Sequence, residues 1–299
     1  MPEYPDIVVY IERMGALLKG RILERIRISS PFLLRSVSPP IDACFGKTVL
    51  GFERIGKRIV WELSDNHFII LHLMVSGRLH WRSAKSGIPG KVGLAAFDFG
   101  HGSMLLTEAA QKKRASLYLT VGRESIIQFD PGGIDVLSIS LDTFRNQLQQ
   151  ENHTLKRSLT DPRIFSGIGS SYSDEILHRA RLSPVQLTSN LTDEQITMLY
   201  EAIQTTLLEW TNHLRTQTGD NFPEKVTAFQ PEMAVHGRYG KPCPVCHSKV
   251  QRIRYVANET NYCPTCQTDG KLLADRALSR LLKSDWPKTP EELDERLNR

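Results

Sequence analysis

Apolar positions along the chain fall into successive regimes. Ile7, Ile11, Met14 and Leu18 keep helical spacing after Pro5 and Asp6, and Gly20 supplies a stop, so the first element is a helix. From about Ile22 to Val136 the pattern shortens to alternating or continuous runs. Ile59, Trp61 and Leu63, then Phe68 to Leu73, broken by Gly, Pro and Asn, predict a β-rich domain, sandwich or barrel. Helical signals return after about residue 141. Thr192 and Gln195 have capping-box spacing, and Ile196, Leu199, Ile203, Leu207, Trp210 and Leu214 mark one buried face of a long core helix. Just before it, GIGSSYSDEILHRARLSP reads as a Gly-rich turn, a Ser171 to Asp174 cap, a short helix and a Pro184 break, which gives two helices joined by a turn. From Gly237 to Gln267 a knuckle, hairpin, knuckle arrangement surrounds the cysteines. Leu273, Leu278, Leu281 and Leu282 then suggest one amphipathic helix, and Thr289, Pro290 and Glu292 start a last one.

At 299 residues the chain is long enough for two or three units with cores of their own. Its 40% hydrophobic and 24% charged residues are ordinary globular usage, which excludes disordered and fibrous readings. No apolar run is long enough to span a membrane, and Glu3, Asp6 and Glu12 stand where a secretory leader needs a basic start, so a cytoplasmic protein is expected. The net charge of +5 says little until its placement is considered. Between Lys241 and Lys283 there are eight Lys or Arg against three Asp or Glu, an excess equal to that of the whole chain. Such a face suits phosphate contacts.

Four of the five cysteines form Cys243-Pro-Val-Cys246 and, sixteen residues later, Cys263-Pro-Thr-Cys266, while Cys44 stands alone. Tight CxxC turns let two thiolates from each knuckle meet at one tetrahedral ion, and four thiolates leave no open coordination position. One structural Zn2+ is expected. At the other end, removal of Met1 before a small residue would leave Pro2 as a free secondary amine beside the Glu3 carboxyl. An α-amine titrates near ~7.7 to 8.0, so part of it is nucleophilic at neutral pH.

Several separated stretches resemble one family. MPEYPD is similar to the opening of formamidopyrimidine-DNA glycosylases and endonuclease VIII proteins, RIGKRIVWEL to their lysine-bearing hairpin, and HLMVSGRL to a strand of theirs. GIGSSYSDEIL resembles their helix-two-turns-helix domain, and VHGRYGKPCPVC with NYCPTCQ their zinc finger; order and spacing match across about residues 1 to 267. The resemblance implies an α+β multidomain protein: an N-terminal helix plus β-sandwich catalytic domain (1–136), a helix-two-turns-helix domain (137–235) and a four-cysteine zinc-finger β-hairpin (236–270), followed by the helical extension (271–299) that the leucine spacing and the Thr289 cap predict. It also implies a monomeric DNA glycosylase with AP lyase activity on damaged or abasic DNA, cleaving by β,δ-elimination, with no membrane partner.

Residue by residue, it makes Pro2 the nucleophile, Glu3 the acid and base, and Lys57 the hairpin cation. It assigns His72, Glu175 and the positions of Ser170 and Asn258 to DNA contact, and Cys243, Cys246, Cys263 and Cys266 to the metal; Arg252 and Arg254 are assigned to DNA contact by the basic excess around them. The sequence also departs from the family. Ser170 replaces the turn asparagine, Asn258 the finger arginine, Val75 the void-filling methionine, and Thr107-Glu-Ala-Ala-Gln-Lys-Lys-Arg-Ala-Ser116 the duplex-wedging loop. Two alternatives therefore stay open: a lyase acting mainly on abasic sites, and a non-catalytic binder of damaged DNA. The retained Pro2, Glu3 and Lys57 favour an enzyme.

Overall fold

The computed structural model describes residues 1–255, 258–274 and 286–297. The chain forms two compact units, Met1–Gly132 with Glu209–Ala228, and Gly133–Leu208 with Phe229–Arg299.

The first unit opens with helix α1 (Tyr4–Leu18), which buries Ile7, Tyr10, Met14 and Leu18 on the spacing read from sequence. Nine strands follow: β1 (Ile22–Leu23), β2 (Arg25–Ile28), β3 (Lys47–Ile55), β4 (Arg58–Leu63), β5 (His67–His72), β6 (Gly77–Arg82), β7 (Gly93–Phe99), β8 (Gly102–Glu108) and β9 (Ser116–Val121). They make a five-stranded sheet in the order β1-β3-β4-β5-β9 and a four-stranded sheet in the order β2-β7-β8-β6. The two sheets form a sandwich. Ile59, Trp61, Leu63, Ile69 and Leu71 face Phe97, Phe99, Met104 and Leu106 in one core, with the Trp61 and Phe97 rings tilted at 35° and their centres 4.8 Å apart. Truncating such a side chain costs about 3–5 kcal/mol. The continuous run Phe68 to Leu73 has a separate cause. Phe68 and Ile70 point away from this core, into a second cluster with Val60 and Ile126, so β5 is buried on both faces.

The second unit contains helices α2 (Leu141–Gln149), α3 (Leu155–Thr160), α4 (Ser170–Arg179) and the larger part of α5 (Asp193–Thr218). The capping box at the start of α5 is formed by both bonds, Gln195 N–H to Thr192 Oγ1 at 3.3 Å and Thr192 N–H to Gln195 Oε1 at 3.2 Å. The expected Ser171 cap is corrected. The N-cap is Gly169, Ser171 lies inside α4, and Ser173 Oγ back-bonds to the Gly169 carbonyl at 2.5 Å. Asp174 is not free to cap, because its carboxylate is drawn into a buried network described below.

Antiparallel β10 (Gln251–Tyr255) and β11 (Asn258–Tyr262) form the finger hairpin, with Gln251 opposite Tyr262 and Tyr255 opposite Asn258, followed by α6 (Pro264–Thr268). Most of the helix anticipated over Leu273–Leu282 lies outside the described residues. The last helix, α7 (Pro290–Leu297), is capped as expected: Thr289 Oγ1 accepts Glu292 N–H at 3.3 Å, and Glu292 Oε2 accepts Lys288 N–H at 2.7 Å. Among the described residues no helix is long and apolar enough to cross a membrane.

Candidate active site and zinc centre

In the first unit the chain start is built into α1. Glu3 is the N-cap, and it shares a reciprocal capping box with Asp6: Glu3 N–H donates to Asp6 Oδ2 at 2.9 Å, and the Glu3 side chain accepts the Asp6 N–H. Pro2, Glu3 and Asp6 are all buried, Glu3 to 2% exposure and Asp6 to 4%. Burial, assisted by the adjacent Glu3 charge and opposed by the bond from Glu3 N–H, raises the Asp6 pKa to about 7. The amine of Met1, the residue whose removal would free Pro2, is held below its ordinary value, first by burial and then by the positive charges of Arg78 and Lys57; Glu3 and Asp6 act in the opposite sense. An amine depressed in this way is nucleophilic at lower pH.

Lys57 sits in the tight turn between β3 and β4, where Gly56 takes φ +59°, a conformation that glycine adopts without strain. Arg54 braces this turn with a bond to the Gly56 carbonyl at 2.7 Å, while its guanidinium lies 4.5 Å from the centre of the Tyr4 ring. His72 is the cross-strand partner of Arg58. Burial, then Arg58 and Lys57, lower its pKa to about 4, so the imidazole is neutral at pH 7. Lys57 thus acts electrostatically on both the chain start and His72.

Arg78 follows a turn that demands glycine: a Cβ on Gly77 would sit 2.2 Å from the Leu73 carbonyl oxygen. Its guanidinium bonds the carbonyls of Val226 at 2.5 Å and Gly77 at 2.7 Å. The segment after α5 is also fastened by Glu224, which accepts two bonds from Arg82 at 2.7 and 2.9 Å and lies 2.8 Å from His80. Beneath this segment is a cavity of about 320 Å³, with Asp6 in its wall beside Val9, Leu214, Phe222 and Val226.

In the second unit Asp174 is the hub of a buried network. Its carboxylate accepts Lys156 Nζ at 2.5 Å and Asn261 N–H at 3.1 Å, and lies 2.7 Å from His236 Nδ1. The neighbouring Glu175 is the helix acid that the resemblance places at DNA contact. It is 7% exposed and accepts the N–H groups of Ala234, Val235 and His236 at 2.7, 2.9 and 2.9 Å, so its charge is spent on holding that turn. Burial still raises its pKa despite those three bonds.

Ser170 is exposed and donates to the Glu259 carbonyl of the hairpin at 3.2 Å. Arg252 stacks 4.0 Å over Tyr239 and reaches Glu259 at 3.3 Å, while Arg254 is more exposed, 3.5 Å from the same carboxylate. Asn258 opens β11 at the finger end.

The four cysteine sulfurs lie within 4.8 Å of one another, with Cys243–Cys266 at 4.0 Å and Cys246–Cys263 at 3.3 Å. A tetrahedral ion with ~2.3 Å bonds needs sulfurs about 3.8 Å apart, so this donor set fits one structural Zn2+ with no open position. Val245 N–H donates to Cys243 Sγ at 3.4 Å, and His178 Nε2 lies 3.2 Å from the same sulfur.

Comparison with known proteins agrees with this architecture. Residues 1–121 match the formamidopyrimidine-DNA glycosylase N-terminal domain, 134–218 its H2TH domain, and 240–268 the zinc finger found in FPG and IleRS. An uncharacterized formamidopyrimidine-DNA glycosylase-like protein of Mycobacterium tuberculosis is 39% identical over 151 residues, which cover 50% of this chain and 94% of that one. The chain belongs to the formamidopyrimidine-DNA glycosylase family. The formamidopyrimidine-DNA glycosylase of Pelotomaculum thermopropionicum is 28% identical over 274 residues, covering 89% of this chain and 99% of that protein. Among solved structures, the complex of the LlFpg protein with a THF-DNA and an inhibitor has a TM-score of 0.80 at 22% identity, covering 89% of this chain and 100% of that one. The complex of Lactococcus lactis Fpg with an abasic site containing DNA has a TM-score of 0.79, also at 22% identity. At that identity the likeness is one of fold.

Within this member of the formamidopyrimidine-DNA glycosylase family, Pro2, Glu3, Lys57 and His72 lie in the first unit. Ser170, Glu175, Asn258, Arg252, Arg254 and the four cysteines lie in the second. Sequence reasoning missed Asp6 and Arg78. The Glu3-x-x-Asp6 spacing was a signal for the first, as a capping box built from two acids. Arg78 had only its place in the SGRL strand.

Proposed function

We propose that the protein is a monomeric, cytoplasmic DNA glycosylase with AP lyase activity, whose nucleophile is the Pro2 nitrogen freed by removal of Met1. The observation that carries this reading is the burial of Pro2 at the chain start together with the carboxyls of Glu3 and Asp6. A surface terminus would be solvated and protonated near neutrality.

In the reaction so inferred, the Pro2 lone pair attacks C1′ of the damaged nucleotide, the N-glycosidic bond breaks with its electron pair leaving on the base, and the proton lost from the Pro2 ammonium neutralises that base. Glu3 delivers a proton to the sugar ring oxygen as the ring opens, giving an iminium between Pro2 and C1′. Loss of a C2′ proton then expels the 3′-phosphate, a second elimination expels the 5′-phosphate, and water releases the sugar fragment from Pro2. Lys57 and Arg78 balance phosphate charge, and neutral His72 supplies a hydrogen bond rather than a cation. Asp6, whose pKa lies near neutrality, holds a proton beside Glu3 during these steps. Ser170, Arg252, Arg254 and the Asn258 end of the hairpin serve DNA backbone contact, with Zn2+ holding the finger.

One feature favours a narrower second reading. The segment after β8, Ala109-Ala-Gln-Lys-Lys-Arg-Ala115, has no bulky apolar side chain to fill the gap left by an extruded base, whose unstacking costs a few kcal/mol. A lyase acting on sites that have already lost the base avoids that cost. Strand nicking by protein with a free Pro2 terminus and by protein with an acylated terminus tests the main reading. An amide nitrogen has no available lone pair, so the acylated form is expected to lose nicking of an abasic duplex. Equal nicking by both forms rejects Pro2. Base release alongside nicking decides between glycosylase and lyase.

A further inference from the structure

Glu108, the last residue of β8, has no part in the chemistry above, yet it is only 1% exposed. Its Oε2 accepts the N–H groups of Arg114 at 2.8 Å and Ala115 at 3.0 Å, and its Oε1 accepts Ser76 Oγ at 3.4 Å. The Lys113 ammonium bonds the Glu108 carbonyl. A buried carboxylate satisfied by the amides of its own downstream loop closes residues 109–114 into one geometry.

What that loop presents is charge. Lys112 and Arg114 are exposed, and among the described residues their side chains make no ion pair or hydrogen bond. Elsewhere in the unit Arg13, Arg82, Arg123 and Arg215 each reach a carboxylate. The acid nearest in sequence, Glu108, is turned inward to the backbone and does not neutralise them. The loop also has a defined position. Glu108 pairs with Gly77 across the β6–β8 ladder, and Gly77 immediately precedes Arg78, whose charge acts on Asp6 and on the Met1 amine at the chain start.

We propose that residues 109–114 are a phosphate-binding loop, locked by Glu108, which grips the DNA backbone near the reacting sugar through Lys112 and Arg114 and neither reads nor replaces a base. The proposal rests on the DNA-lyase reading. Two unpartnered cations on a pre-closed loop give up little conformational entropy on meeting phosphate, whereas Ala109, Ala110 and Ala115 offer nothing that inserts between bases. Glu108 is a positioning residue in this scheme.

The test is the salt dependence of binding to a duplex with one abasic site, measured on the full chain. Each phosphate contact contributes about 0.9 to the slope of log K against log salt, so Lys112→Ala/Arg114→Ala should reduce the slope by about 1.8. The affinity ratio between native protein and variant should then shrink about 12-fold from 50 to 200 mM salt. Arg114→Lys keeps the charge and should keep the slope. Glu108→Gln leaves every loop cation in place but can accept with only one oxygen, and should lose part of the slope. An unchanged slope in the double variant overturns the proposal. A loss in Arg114→Lys that varies with the base opposite the site also overturns it, in favour of base reading. Borohydride trapping by the native protein, run alongside, reports on the imine chemistry alone, so failure of that reading is distinguishable from failure of the loop.

Discussion

Replacing Asp6 with Asn tests the electrostatics at the chain start. The folded pKa of Asp6 is about 7 against an ordinary 3.8, mainly because the carboxylate is buried. Because folding raises this pKa, the associated stability is fully present below 3.8 and is lost as pH rises through about 7. Three units at ~1.4 kcal/mol each make the penalty for the charged form roughly 4 kcal/mol at neutral pH and above. Asp6→Asn keeps an oxygen to accept Glu3 N–H but cannot ionise. Its stability relative to the native protein should therefore rise by about 3 kcal/mol between pH 4.5 and 7.5. His72 works in the opposite direction, since its pKa falls from 6.5 to about 4 and its stability is lost as pH drops through that window. It is present in both proteins and cancels in the difference. Urea unfolding at several pH values, followed by tryptophan fluorescence, supplies the measurement, because Trp61, Trp81 and Trp210 all belong to the first unit. A difference that stays constant within about 1 kcal/mol across this range would refute the assigned burial cost.

Three further outcomes follow from the second unit. Chelation or Cys263→Ser should release one zinc ion per chain, loosen the hairpin and weaken DNA binding, measured by metal analysis and anisotropy; protein purified without metal that binds DNA normally would contradict it. Glu175→Ala leaves three buried N–H groups without their acceptor and should cost at least ~3 kcal/mol in unfolding free energy, so a loss under ~1 kcal/mol would show the turn is held otherwise. Arg252→Ala/Arg254→Ala should lower the salt slope of binding by about 1.8, and an unchanged slope removes the hairpin from the interface.

Much of this architecture was legible in the chain because it depends on local periodicity. Ile59, Trp61 and Leu63 alternate since one face of β4 meets the opposite sheet, and Thr192 with Gln195 carries its capping geometry within four residues. The cysteine spacing identified the metal ligands for the same reason. Features set by distant partners were not legible. Asp6 reads as a first-turn acid suited to the helix dipole, and only the surrounding fold, which buries it, turns it into a group titrating near neutrality. Glu175 gave no sign that Ala234 to His236, far along the chain, would occupy its carboxylate. The Ser171 cap failed because the Gly169 carbonyl starts α4 and Asp174 is claimed by Lys156, His236 and Asn261. Periodicity along α5 likewise held no mark of the change at Glu209, where the helix passes from one compact unit to the other.

The central claim is that the Pro2 nitrogen forms a covalent imine with an abasic sugar. Borohydride reduction of protein with a verified Pro2 terminus on an abasic-site oligonucleotide, followed by peptide mass spectrometry, tests it directly. A stable adduct on the N-terminal peptide at Pro2, absent when that nitrogen is acylated, is the expected result. An adduct on a lysine side chain, or none from the verified terminus, would contradict it.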